Sequence, residues 1–126
     1  MKRVTHSVLG FAASLALCAN LAANPADDML ATLRSRPDVN INVQDGWTIA
    51  IAEDGLTIWS FTPANHPAHP AYVERRIVQK DGAWYVQMNV ICGAGTEICE
   101  RLVADFRVLN DQLRKSLEST ASPGGR

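Results

Sequence analysis

The chain is poorly supplied with the residues that most chemistry needs. Among its 126 residues it has three cysteines and three histidines. It has no Cys-x-x-Cys pair, no phosphate loop in which a lysine follows the glycines, and no apolar run near the roughly 20 residues a membrane-spanning helix requires. It also lacks an excess of positive charge, with 12 basic residues against 13 acidic ones. A nucleic-acid partner would need a basic face to neutralise phosphates, so none is expected. A hydrolase would need a nucleophile, a base and an orienting group. Ser35 and Ser60 sit in no recognisable elbow, and the acidic residues fall mostly in turns or on a helix surface, where solvation explains them. No catalytic residue and no cofactor is expected.

What the sequence does have begins at its N-terminus. Lys2 and Arg3 precede an apolar run from Val8 to Leu17, broken by Gly10 and Ser14, and then the small-residue stretch Leu21-Ala22-Ala23-Asn24. A short positive region, a brief hydrophobic segment and a small-residue exit form the pattern of a secretory signal. Cleavage is expected after Ala23, which places the protein in the periplasm or outside the cell. Leu15-Ala16-Leu17-Cys18 also resembles the lipobox of bacterial lipoproteins, although that motif wants a small residue where Leu17 stands. A lipid anchor at Cys18 is the alternative. Loss of Lys2 and Arg3 would leave ten basic residues against thirteen acidic ones, a net charge of −3.

The remainder, residues 24–118, reads as one α+β domain with a single core. Pro25 to Arg36 has helical composition, with Pro25 suited to a first turn, Asp27 and Asp28 favourable near a helix N-terminus, and Pro37 ending it. From Val39 the period becomes two, with Val39, Ile41 and Val43 alternating with polar residues. Asp45-Gly46, Asp54-Gly55 and Asp81-Gly82 each separate strand-like runs, which points to an antiparallel meander of four to five strands. The runs are Val39–Val43, Trp47–Ala52, Leu56–Phe61, Tyr72–Gln79 and Ala83–Ile91. After Thr96, a good N-cap, the apolar positions Ile98, Leu102, Phe106, Leu109, Leu113 and Leu117 mark an amphipathic helix to about Glu118. Such a helix would be about 33 Å long, long enough to cover one face of the meander. Residues 119–126 are small and polar and read as a disordered tail.

Trp84, Val86, Met88, Val90 and Cys92 share one face of the last strand, so Cys92 points toward the core. Cys99 lies beside the apolar stripe of the long helix. In an exported protein the expected outcome is a Cys92–Cys99 disulfide that staples helix to strand. A redox role would want closer spacing and a thiolate-favouring environment, which Glu97 and Glu100 oppose. Gly93 and Gly95 give the turn its backbone freedom rather than a phosphate cradle.

Thr62 to Ala71 holds His66 and His69 and three of the six prolines. Pro63, Pro67 and Pro70 should make it a stiff surface excursion. In an extended chain the two histidines would lie roughly 10 Å apart, too far to share an ion without a turn. Metal ligation by His66 and His69, completed by Glu74 or a second molecule, is therefore the weaker reading of this loop. Trp59 and Phe61 lead into the loop on one strand face, with Trp47 and Tyr72 nearby. Together with His66 and His69, the residues Trp59, Phe61 and Tyr72 form a candidate binding surface; the alternative is a core of aromatics on a sheet face with two tryptophans.

The function expected from these features is that of an exported, non-enzymatic binding or accessory protein of the bacterial envelope. It would contact a protein or peptide through a sheet face or the 62–71 loop, in one version as an inhibitor inserting that loop into a cleft. A metal-handling protein using His66 and His69 is the second reading.

Overall fold

The computed structural model describes residues 24–121; the expected export signal with Cys18, and positions 122–126, lie outside them. Helix α1 (Pro25–Arg34) opens on Asn24, whose side chain accepts the Asp27 N–H at 2.9 Å. That cap, Pro25 in the first turn and the two early aspartates are the usual devices that satisfy and neutralise a helix N-terminus. The helix stops two residues short of Arg36. Pro37 disfavours helical backbone at the residue before it, and Arg36 turns instead to Asp38, its Nη2 lying 2.7 Å from Oδ2.

Five antiparallel strands follow in sequence order: β1 (Val39–Gln44), β2 (Trp47–Ala52), β3 (Thr57–Phe61), β4 (Ala71–Lys80) and β5 (Ala83–Cys92). The β1–β2 and β4–β5 hairpins close through Asp45-Gly46 and Asp81-Gly82, with φ positive at both residues of each turn. Aspartate and glycine are the residues that tolerate this conformation, and the resulting twist suits adjacent strands. The long helix α2 (Thr96–Ala121) completes an α+β fold. It continues through Ser119 and Thr120, beyond its expected end at Glu118, with the Thr120 hydroxyl donating to the Ser116 carbonyl.

The helices lie on opposite faces of the sheet. Under α1, Ala26 and Leu33 pack with Ala50, Trp59, Phe61 and Tyr72. Under α2, Leu102 and Phe106 pack with Ala71, Val73 and Ala68 of the loop. The helix α2 runs back along β5: the Cys92–Cys99 disulfide joins their adjacent ends, and further on the Asn110 amide reaches Met88. A helix is about 10–12 Å across and strands are spaced about 4.8 Å apart, so one helix laid along a strand directly overlies about two of the five. The helix covers one face, as expected, reaching Trp47 of β2 through Phe106, and a cleft is left beside it over β2 and β3.

Candidate functional site

This cleft, of about 420 Å³, lies between α2 and strands β2 and β3. Trp47 forms its aromatic wall. Because Asp45-Gly46 turns the chain just before it, Trp47 projects beside α2, edge-on to Phe106 with ring centroids 5.6 Å apart and to His66 at 5.3 Å. Ile49 and Ser60 lie on the floor and Leu109 on the α2 side, where 43% of it remains exposed. Ser60 and His66 both line the cleft, yet among the described residues no hydrogen bond joins them.

The loop from Thr62 to Pro70 is folded onto the sheet rather than projecting from it. Ala68 is buried in the α2 core. The Thr62 hydroxyl donates to the Ala71 carbonyl and accepts the Ala71 N–H, closing the base of the loop. His69 Nδ1 lies 3.0 Å from the Thr62 carbonyl oxygen and 3.1 Å from the Thr62 hydroxyl. His66 Nδ1 accepts the Ala68 N–H at 3.0 Å. Each imidazole thus uses one nitrogen to hold the loop. The third ligand considered for a metal, Glu74, is paired with Arg76 and directly opposite Trp59, on the α1 face and away from the His66 side. Among the described residues no group of three or more histidine, cysteine or acidic side chains is placed to hold a metal.

Trp59, Phe61 and Tyr72, candidates for a contact surface, are core side chains, each 5–6% exposed beneath α1. Trp47 is on the other face. Its strand, β2, is apolar on both sides, so no alternation reveals which residues face which helix; the register places Ala50, not Trp47, in phase with Trp59. Of the residues considered for binding, only His66 lines the cleft.

The residue that sequence reasoning missed is Arg75. In β4 it is in phase with Ala71, Val73 and Ile77, the side of the strand that faces the α2 core. An arginine in an apolar phase was the available signal. Its guanidinium lies over the Phe106 ring at 5.2 Å from the centroid, and its Nε is enclosed without a hydrogen-bond partner. Arg75 enters no ion pair among the described residues. Burial lowers its pKa from the ordinary arginine value, the expected sign for a cation withdrawn from water.

No protein-family model, curated protein or solved structure matches the chain. The chemistry of this cleft is the basis on which its use can be judged.

Proposed function

We propose that the protein is an exported, non-enzymatic binding protein of the bacterial envelope, and that its partner sits in the cleft between α2 and strands β2–β3. The observation that carries this reading is the composition of the cleft: an aromatic wall of Trp47 and Phe106 beside a half-buried arginine that enters no ion pair among the described residues. Binding sites are concave and largely apolar, with a few placed polar groups that fix orientation. Export is supported by the signal-like N-terminus and by the Cys92–Cys99 disulfide, which suits an oxidising compartment. No helix among the described residues is long and apolar enough to cross a membrane.

Site-specific photocrosslinking in the native envelope tests the location. A benzoylphenylalanine at Leu109, on the cleft, should form an adduct that Trp47→Ala abolishes. The same probe at Val43, 68% exposed on the α1 face, should form none. Equal labelling from both positions, or no adduct from Leu109, would overturn the reading.

A further inference from the structure

We infer that the cleft receives the free C-terminal carboxylate of a polypeptide, with Arg75 as the anchor and an apolar terminal side chain against Trp47 and Phe106. The inference rests on the binding role proposed above and adds the chemistry of the ligand.

Three observations converge on this class. The first is the state of Arg75. A half-buried guanidinium held over an aromatic ring, with its Nε enclosed and without an acceptor among the described residues, is a poor arrangement for stability, since a buried polar group unpaired by hydrogen bonds is costly. Its planar fork matches a carboxylate, which it can meet with two parallel hydrogen bonds. The Phe106 ring, 5.2 Å from the guanidinium carbon, restricts where that fork can lie before a ligand arrives.

The second is the distribution of charge. Asp45 and Asp105 also line the cleft, both exposed, whereas Arg75 is half-buried. One half-buried cation in a cleft that also holds two exposed carboxylates disfavours a phosphate dianion or an acidic chain. It accommodates a ligand whose single negative charge sits at its tip. The third is what surrounds the cation: the edge-to-face aromatics, Ile49 and the partly exposed Leu109 leave room for an apolar group next to the carboxylate. A polypeptide ending in an apolar residue carries both features side by side, and capture of a terminal carboxylate is a recurring mode of peptide recognition.

The test uses residues 24–126 with the disulfide intact and three probes: N-acetyl-valyl-leucine, its C-terminal amide, and octanoate. Binding is followed by nitrogen-edited NMR, in which the enclosed Nε–H of Arg75 is itself a reporter. The acid should shift the resonances of Arg75 Nε–H, Trp47 and Phe106 at millimolar concentration. Affinity should fall roughly ten- to a hundredfold for the amide, the range expected when one charge-assisted hydrogen-bonded contact is lost. Arg75→Met should abolish the preference for acid over amide, and Arg75→Lys, which keeps charge but not the fork, should retain part of it.

Equal affinity for acid and amide would overturn the carboxylate assignment, and so would an undiminished preference in Arg75→Met. Octanoate binding as tightly as the dipeptide would overturn the assignment to a polypeptide end. Failure of the acid to bind at all would overturn both. If acid and amide bind alike while Leu109 still crosslinks a partner, the binding role stands and only the ligand chemistry fails. The acid and amide comparison is made on the unmodified protein, so it does not depend on how any variant folds.

Discussion

Replacing Arg75 by methionine should make the protein more stable. Among the described residues the Arg75 Nε is enclosed without an acceptor and the guanidinium has no carboxylate partner. Leaving such a donor unsatisfied costs about 1–3 kcal/mol, while the stacking on Phe106 returns about 0.5–2 kcal/mol. Methionine keeps most of the unbranched stem, adapts to irregular gaps and has no donor to satisfy. The balance favours Arg75→Met by about 1 kcal/mol, which in a domain of roughly 100 residues corresponds to a rise in Tm of about 4–8 °C. Thermal and urea unfolding followed by circular dichroism, at neutral pH and moderate salt, would measure it. A loss of about 2 kcal/mol or more would refute the reasoning, because that is the signature of breaking a buried ion pair. Asp105, exposed at the rim, would then be the suspected partner, and Asp105→Asn should be destabilising to a similar degree. If both variants are neutral or stabilising, Arg75 is held in a state that favours a ligand over the fold, a trade familiar at binding sites.

Reduction of the disulfide, or Cys92→Ser with Cys99→Ser, should cost about 2.5 kcal/mol by the loop-entropy estimate for a short closed loop, measured as a lower urea midpoint, with cleft binding specificity retained; unchanged stability would refute the staple. Burial first, and the Glu74 charge second, raise the pKa of the Tyr72 phenol. A raised folded-state value means that the contribution is fully present below the unfolded tyrosine pKa and is lost as pH climbs through the folded one. Stability should therefore fall in the alkaline range above about pH 10, and Tyr72→Phe should remove that part of the loss in pH-dependent unfolding. Leu33→Ala, at a position 1% exposed, should cost about 2–5 kcal/mol, whereas Leu30→Ala, at the partly buried margin of the same helix, should cost clearly less by the same unfolding assay.

Local chemistry made most of the architecture legible. Asp-Gly dipeptides announce turns wherever they stand, and β5 alternates so cleanly that the core side of Cys92 follows from phase alone. Two features resisted because they depend on non-local contacts. Trp47–Ala52 is apolar at every position except Thr48, so no pattern in β2 separates the Trp47 face from the Trp59 face; only the pairing of Ala50 with Trp59 does so. The proline loop reads as a projection because nothing nearby in sequence says that Ala68 is buried against Leu102 and Phe106, residues some distance further along. Arg75 is a different case. Its phase was readable from Ala71, Val73 and Ile77, but an isolated charge in a strand bordered by Glu74 and Arg76 looks like part of a solvated run. It takes the register of β4 against β5 to put it on the enclosed side.

The placement of α2 along β5 also bears on how copies of this protein avoid one another. Ala83 to Cys92 is a ten-residue outermost strand without charge, proline or glycine, the kind of edge that invites another strand to dock and extend the sheet. A second β5 hydrogen-bonded to it would lie about 4.8 Å away. Two copies paired antiparallel would carry both α2 helices, each laid along its β5, on one face of the joined sheet and toward that same separation, while packed helices need about 8–10 Å between axes. The helix that anchors the core therefore also guards the edge against antiparallel pairing with another copy. The Cys92–Cys99 bond, by tethering α2 to the end of that strand, ties the guard to the edge it covers.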